Sequence, residues 1–334
     1  MELNLKKNEA IKVIGPSKIE VSAGEIEIFG KKIRINQSII VKKGKSFPIE
    51  AIKNSTLQIN SESSENIKKI EGDTISNDRK ELIEKILTLP KPCKILLIGA
   101  GDTGKTTFIT LLANKCFEKG YKTAILDLDV GQHDIGPPCT ISLGFLKDFI
   151  YDLKEVPIES LFFIGNTSPA GHIIRCLAGI GRLLENGLKA DITLIDTSGW
   201  IKGNAARSYK TSKIELIKPN LIVGIQRDTE IEHLLKPFFE MISIYRLSVS
   251  KNIQARTFND RRFLREVSFR NYFSNGQSRT FNCDEVNFAY TLYKTGNEPD
   301  ENTLKSIEET LDLKSKYCEL SNDGIFFVQG EEKF

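Results

Sequence analysis

Ten residues, GAGDTGKTTF at positions 99–108, fit the pattern G-x-x-x-x-G-K-[ST] of a phosphate-binding loop. In such a loop the glycines let backbone N–H groups point at phosphates, Lys105 reaches the β and γ phosphates, and the Thr106 hydroxyl binds Mg²⁺. The following helix adds its positive N-terminal dipole. We therefore expect ATP or another NTP, with Mg²⁺, to bind the loop residues Gly99, Gly101, Asp102, Thr103, Gly104, Lys105, Thr106 and Thr107.

Carboxylates at the ends of two apolar runs indicate where the phosphoryl group reacts. Asp127 and Asp129 end the run KTAILDLD, point to one side of a strand and face the same crevice as the loop. Asp129 is favoured because it lies closer to the following loop, and it can bind hydrated Mg²⁺ or accept a proton from an attacking hydroxyl. Asp127 is equally well explained as an exposed strand end. Asp196 in TLIDTSGW competes with Asp129 as the metal ligand, and the sequence leaves this choice open.

Trp200, the one tryptophan of the chain, follows directly in the same loop. A tryptophan usually belongs to a core, but this position equally favours stacking on a nucleic-acid base.

Arginines are concentrated in SKNIQARTFNDRRFLREVSFR, residues 250–270. On a helix Arg261 and Arg265 share a face, so the segment is either a solvated charged helix or a lid. The arginines of a lid would meet the transferring phosphoryl group and a nucleic-acid backbone, because the guanidinium fork matches phosphate oxygens.

The elements that must position these residues fall into three predicted regions. Residues 1–75 read as a small antiparallel β domain followed by a polar linker, because apolar and polar residues alternate between frequent Gly and Pro. Residues 76–275 alternate buried strands with helices, which predicts an α/β domain with a mostly parallel sheet and the lid near 251–270. Residues 276–334, with the strand-like runs FAYTLYKTG and DGIFFVQG, predict a small C-terminal α+β domain.

Composition narrows the class of protein. In 334 residues, 40% are hydrophobic and 27% charged, and neither a long apolar run nor a signal-peptide core occurs, so we expect a cytoplasmic protein. The six cysteines are scattered and only three histidines occur, which argues against a zinc site or a disulfide framework. A net charge of +3 does not by itself indicate nucleic-acid binding.

Together these motifs resemble the polynucleotide 5′-hydroxyl kinase family, which includes the RNA kinase of the eukaryotic pre-mRNA cleavage machinery, its pre-rRNA-processing relatives and archaeal enzymes. The matching stretches run in the family's order and are GAGDTGKTT, LDLDVGQ, NTSP at 166–169, DTSGWIKG and the arginine series ending in NYF. The β domain, with VIGPSKIEVSAGEIEIFG, is also similar, so that the resemblance covers residues 1–276.

The resemblance implies transfer of the γ-phosphate of ATP or another NTP to the 5′-hydroxyl end of RNA, with DNA as an alternative acceptor. It implies that Asp129 activates the 5′-hydroxyl, that Gln132 lies near the phosphoryl site, and that Arg256 and Arg261 act from the lid. The implied acceptor-binding residues are Thr167, Ser168, Trp200 and Arg265. Asp196 departs from the family pattern, in which Asn stands here.

Two other functions compete with the kinase. A switch or motor NTPase would suit the LDLDVGQ and DTSG motifs, but no guanine-reading N-K-x-D motif follows NLIVGIQRD. A non-catalytic, ATP-bound scaffold of an RNA-processing complex would be expected to lose the lysine, the carboxylate or the lid arginines, and all are present.

Overall fold

The computed structural model describes residues 1–187, 189–250, 253, 256–282, 285–288 and 291–329. Contacts within the chain form two compact units, Met1–Asn275 and Gly276–Phe334. Four residues of the predicted lid (251, 252, 254 and 255), together with Cys283, lie outside the described residues. None of the described helices is long and apolar enough to cross a membrane.

The N-terminal part of the first unit consists of two antiparallel sheets, because alternate apolar side chains of short strands share one buried face. The strands are β1 Glu2–Leu5, β2 Ala10–Ile14, β3 Ser17–Ala23, β4 Glu25–Ile28, β5 Lys31–Arg34, β6 Ser38–Val41, β7 Ser46–Ala51, β8 Ser55–Ser61 and β9 Ile67–Ile70. They pair in the orders β1-β8-β3-β6 and β5-β4-β7-β2-β9. The linker expected here is partly wrong, since β9 lies within it and pairs with β2 through Ile67 and Ile70.

The rest of the first unit is an α/β layer around a seven-stranded sheet of order β13-β12-β11-β14-β10-β15-β16. Its strands are β10 Cys93–Gly99, β11 Thr123–Leu128, β12 Thr140–Phe145, β13 Ile158–Phe163, β14 Ile192–Thr197, β15 Leu221–Gln226 and β16 Ser243–Ser248. Its helices are α1 Asn77–Thr88, α2 Lys105–Glu118, α3 Ile173–Gly187, α4 Asn204–Ile217, α5 Glu232–Leu235 and α6 Phe258–Phe273.

The predicted fold class, an α/β domain with a mostly parallel sheet, is confirmed. The strands β11, β14, β10, β15 and β16 run parallel to one another, whereas β12 pairs antiparallel with both β11 and β13. The segment 129–139, which contains Pro137 and Pro138, forms no helix, and β12 therefore returns antiparallel to β11 without a crossover.

Two buried contacts fix the N-terminal sheets to the α/β layer. Asn114 of α2 is fully buried, and its Nδ2 donates to the carbonyl oxygens of Phe29 (2.7 Å) and Ile150 (2.8 Å). Its Oδ1 accepts from the N–H of Ile150 at 2.9 Å. Nearby, the Lys45 ammonium lies 3.5 Å from Asp134 and 3.0 Å from Asp152. The N-terminal sheets and the α/β layer thus share an interface, to which Lys45 reaches from one side and Asn114 from the other.

The second unit contains the helix α7 Glu301–Leu311 and the antiparallel hairpin β17 Ser315–Ser321 and β18 Gly324–Gln329. Aromatic rings of Tyr293, Tyr317 and Phe326 pack together on it. The strand expected from FAYTLYKTG is wrong in its described residues, which form turns, and Lys294 there has a left-handed backbone with φ 60°. Residues 289 and 290 of that run, and residue 330 of DGIFFVQG, lie outside the described residues.

We expect Asn114→Ala to lower the free energy of unfolding of the first unit by about 2–4 kcal/mol, because it leaves buried backbone groups of Phe29 and Ile150 without partners. Urea unfolding followed by circular dichroism measures the change. Lys119→Ala, at an exposed position of the same segment, is the control and should unfold like the wild type. Equal stability of the two variants would contradict a structural role for Asn114.

Candidate active site

The loop between β10 and α2 has the backbone of a phosphate cradle. Asp102 and Gly104 have left-handed backbones, with φ of 53° and 89°, so successive N–H groups turn inward ahead of Lys105, the first residue of α2. A Cβ at Gly99 would come within 2.5 Å of the carbonyl oxygen of Ile225, so only glycine fits where the strand enters the loop.

Lys105 and Thr106 direct polar atoms to the floor of this loop. Lys105 is largely buried and its Nζ donates to the carbonyl oxygen of Ala100 at 2.7 Å. The Thr106 hydroxyl donates to Oδ2 of Asp196 at 2.6 Å. Burial raises the pKa of Asp196 to about 7, although the nearby Lys105 ammonium opposes this. A hydroxyl and a carboxylate therefore meet at the edge of the phosphate cradle.

Asp129 organises the loop that follows β11. Its Oδ1 accepts the N–H groups of Gly131 (3.0 Å) and Gln132 (3.1 Å). A Cβ at Gly131 would lie 2.7 Å from the carbonyl oxygen of Thr167, so the NTSP segment rests directly on this loop. Thr167 and Ser168 are exposed. The structure thus brings the proposed acceptor-binding segment against the proposed reacting carboxylate.

Beneath Asp129 lies a buried network that the sequence did not reveal. The carboxylate of Asp127 accepts the N–H groups of Asp129 (3.0 Å) and Asp134 (2.8 Å) and lies 3.3 Å from Nδ1 of His133. The other ring nitrogen of His133 lies 3.1 Å from the carbonyl oxygen of Ile135 and 2.9 Å from the hydroxyl of Ser142. Asp127 is therefore not an exposed strand end, and it holds the loop that carries Asp129.

The charges of this pair stabilise each other. Burial alone would lower the pKa of His133, but the Asp127 carboxylate outweighs burial and raises that pKa above 6.5. Burial would likewise raise the pKa of Asp127, and the imidazolium with the backbone N–H groups lowers it instead. Because both ring nitrogens of His133 face acceptor oxygens, a doubly protonated ring fits the site. The only sign of this pair in the sequence is the spacing D-x-x-x-x-x-H, which matches no recognised motif.

Trp200 has a core contact and a place on the cleft, and its stacking on a nucleic-acid base stays a prediction. It is half-buried, packs on the core beneath the sheet with its ring centroid 6.2 Å from that of Tyr209, and also lines the cleft above the phosphate cradle.

The arginine segment forms α6, whose first turn faces the phosphate cradle. A capping box between Thr257 and Asp260 starts the helix. One turn in, the guanidinium of Arg261 donates to Oδ2 of Asp102 at 2.6 Å. The backbone N–H of Arg256 donates to the same carboxylate oxygen at 3.1 Å. The helix is therefore docked on the phosphate-binding loop through one aspartate.

These elements surround one cleft of about 1850 Å³. The site residues predicted from the sequence that line it are Gly101, Asp102, Thr103, Gly104, Lys105, Thr106, Thr107, Asp129, Gln132, Thr167, Ser168, Trp200, Arg256, Arg261 and Arg265. Gly99 and Asp196 are buried below its surface. The N-terminal sheets contribute the opposite wall, with Lys12, Phe29 and Lys45 among the lining residues.

Comparison with known proteins identifies the family. Residues 99–275, more than half of the chain, match the family described as mRNA cleavage and polyadenylation factor CLP1 P-loop. The chain belongs to the CLP1 P-loop family. The resemblance noted in the sequence is thereby confirmed, and the fold agrees with a solved member. A chain in the structure of a wild-type Clp1p–Pcf11p complex superposes with a TM-score of 0.68 at 18% sequence identity. The superposition covers 82% of this chain and 72% of that chain.

Within the CLP1 family this chain is similar to archaeal enzymes named polyribonucleotide 5′-hydroxyl-kinase. The protein of Pyrococcus abyssi is 39% identical over 71% of this chain and 66% of its own length. The protein of Methanocaldococcus jannaschii is 34% identical over 73% and 67%, respectively. The protein of Pyrococcus furiosus is 36% identical over 77% and 72%. The chain thus matches roughly two thirds of each of these kinases.

We expect His133→Gln to lower the free energy of unfolding by about 3 kcal/mol near pH 6, because it leaves the buried Asp127 carboxylate without its cation. The raised pKa of His133 means that its contribution is complete below pH 6.5 and is lost as the pH rises through the folded-state value. The lowered pKa of Asp127 keeps that partner charged throughout this range.

The difference between variant and wild type should therefore shrink as the pH is raised, which urea unfolding at a series of pH values measures. His172→Gln, at a half-buried position, is the matched control. A difference that does not vary with pH would show that no protonated histidine is involved.

Proposed function

We propose that this protein is an ATP-dependent polynucleotide 5′-hydroxyl kinase that acts on RNA, with DNA as a second acceptor to be tested. The proposal rests on one observation. A single cleft is lined by the phosphate cradle, Asp129, three residues of the NTSP segment, Trp200, and Arg261 and Arg265 of α6. The names of the archaeal relatives support the same activity.

In this reaction the 5′-hydroxyl oxygen of the acceptor attacks the γ-phosphorus of ATP. A new oxygen–phosphorus bond forms, the bond between the γ-phosphorus and the β–γ bridging oxygen breaks, and ADP leaves. Asp129 lies beside the acceptor segment and takes the proton of the hydroxyl. Lys105 and Arg261 neutralise charge on the transferring phosphoryl group, and Arg256 assists from the start of α6.

Nucleotide and acceptor enter from different sides in this scheme. The cradle, residues 99–107, and Gln132 hold the triphosphate. Thr167, Ser168 and Trp200 hold the terminal nucleotide, with the ring of Trp200 stacking on its base. Arg265, one turn after Arg261 on the same face of α6, contacts the acceptor backbone.

The residues present fit a magnesium ion. Mg²⁺ prefers oxygen ligands and is usually bound through one or two carboxylates together with substrate phosphates. The Thr106 hydroxyl and the Asp196 carboxylate, 2.6 Å apart, form such a pair, whereas Oδ1 of Asp129 already accepts two backbone N–H groups. We assign the ion to Thr106 and Asp196, and bound there it would offset charge on the β and γ phosphates. No cluster of three or more acidic, His or Cys side chains in the described residues offers a different metal site.

The deciding experiment incubates the protein with γ-labelled ATP, Mg²⁺ and matched 5′-hydroxyl RNA and DNA oligonucleotides. Controls are EDTA, 5′-phosphorylated oligonucleotides and the Lys105→Ala variant. Label on the 5′-hydroxyl oligonucleotides alone establishes the kinase and ranks RNA against DNA. Hydrolysis of ATP without labelled oligonucleotide would instead favour a switch or motor NTPase. Tight binding of ATP with neither activity would favour a scaffold.

Asp129→Asn should lower kcat for RNA phosphorylation by about 10²-fold or more, because the amide cannot accept the proton of the 5′-hydroxyl. Affinity for ATP should stay near that of the wild type, since the amide oxygen can still accept the loop N–H groups. Steady-state kinetics and ATP titration measure the two effects. Asp148→Asn, at an exposed position, controls for the loss of one charge. Turnover near wild type would remove Asp129 from the mechanism.

Trp200→Ala should raise KM for the RNA oligonucleotide by about tenfold, because stacking of one base on an aromatic ring contributes roughly 1–3 kcal/mol. KM for ATP should change little. An unchanged KM for RNA would assign Trp200 to the core alone.

A further inference from the structure

Helix α4 buries two lysines completely, which is unusual because lysine is almost never fully buried unless it is paired. Lys210 and Lys213 are each 1% exposed and are among the largest fully buried side chains in the described residues. They are three residues apart and therefore lie on one side of the helix. Replacing a buried charge with an apolar group of similar volume is often neutral or stabilising, so stability alone does not explain their presence.

Lys210 is hydrogen-bonded to the segment Thr197–Trp200, which begins at the last residue of β14. Its Nζ donates to the hydroxyl of Thr197 at 2.9 Å and to the carbonyl oxygen of Ser198 at 2.6 Å. The Thr197 hydroxyl in turn donates to the carbonyl oxygen of Leu97 on β10 at 2.8 Å. The amino group of Lys210 thus ties this segment to the strand that leads into the phosphate cradle. Burial holds the pKa of Lys210 well below its ordinary value, so the contact is a hydrogen bond and not an ion pair.

The segment has no room to move independently of the cradle. A Cβ at Gly199 would lie 2.4 Å from the backbone nitrogen and 2.6 Å from the Cα of Gly101. The next residue, Trp200, lines the cleft. A shift of Ser198 would therefore displace Trp200 and press on the backbone that holds the phosphates.

Lys213 has the same burial but not these contacts. Its Nζ has no hydrogen-bond partner in the described part of the chain and lies 4.0 Å from the ring centroid of Tyr209. Burial lowers its pKa to about 8. Lys213 is thus a natural control, because it is the same residue type on the same helix without a bond to the segment.

We propose that Lys210 is a positioning residue whose side-chain amino group holds the Thr197–Trp200 segment against the phosphate cradle and so sets the place of Trp200 for the acceptor. The role in acceptor binding rests on the proposed kinase function. The positioning itself does not, because Trp200 is the one tryptophan of the chain and its fluorescence reports on this segment directly.

The test compares Lys210→Met with Lys213→Met by thermal unfolding, acrylamide quenching of Trp200 fluorescence, and kinetics with ATP and 5′-hydroxyl RNA. We expect Lys213→Met to melt at or above the wild-type temperature, because Lys213 has no hydrogen-bond partner to lose. Lys210→Met should melt lower, because it leaves the buried carbonyl oxygen of Ser198 without its donor. Lys210→Met should show at least twofold greater quenching, with kcat/KM for RNA reduced tenfold or more and KM for ATP raised less. Lys213→Met should stay within twofold of the wild type in every kinetic constant.

Thr197→Val removes the same bond from its other side and keeps the proposal testable if Lys210→Met fails to fold. Its fluorescence quenching should resemble that expected for Lys210→Met. A variant that carries both Lys210→Met and Thr197→Val should show no more quenching than the single variant with the larger effect. Wild-type quenching in either single variant, or equal loss of activity in the Lys210 and Lys213 variants, would overturn the proposal. If the wild type phosphorylates no oligonucleotide, the kinase proposal fails and the quenching comparison still decides the role of Lys210.

Discussion

Three carboxylates crowd one edge of the central sheet, and the way their charges are compensated governs the rest of the site. Asp127 and Asp196 are direct neighbours on β11 and β14, and Asp129 is the first residue after β11. Like charges this close oppose ionisation unless each has a partner. His133 neutralises Asp127, backbone N–H groups solvate Asp129, and Thr106 and Lys105 face Asp196. The carboxylates are chemically alike, yet these partners give them three different surroundings: an imidazole, backbone N–H groups, and a hydroxyl with a lysine.

Close backbone contacts at two glycines fix the spacing between the segments that carry the site residues. Gly199 lies against the backbone of the phosphate cradle, and Gly131 lies against the carbonyl group of Thr167. At both positions the segments touch without an intervening side chain, so any shift of one is passed on to the other. The interior of a protein is too densely packed to absorb such shifts. The Thr197–Trp200 segment is thereby tied to the phosphate cradle, and the NTSP segment is tied to the loop that carries Asp129.

The sequence predicted the parts of the site that follow from local rules. The phosphate cradle, the carboxylates at strand ends and the α/β fold class follow from motif spacing and hydrophobic periodicity. It did not predict β9, because Ile67 and Ile70 stand in a polar segment whose partner strand lies far away in the chain. His133 and Lys210 were missed for a related reason. A lysine in a polar-looking helix is normally assigned to the surface, and only the long-range contact with Thr197 and Ser198 explains its burial.

The shared interface around Asn114 and Lys45 has a consequence for how this protein can be dissected. The family match begins at residue 99, but one wall of the cleft is built by residues that precede it, among them Lys12 and Phe29. The region that matches the family and the residues that line the cleft therefore have different boundaries. A fragment that begins at residue 99 would keep the phosphate-binding loop but lose most of strand β10 and one wall of the cleft. The N-terminal sheets therefore form part of the site. A domain that replaced them would have to reproduce both the interface at Asn114 and Lys45 and the cleft wall that contains Lys12 and Phe29.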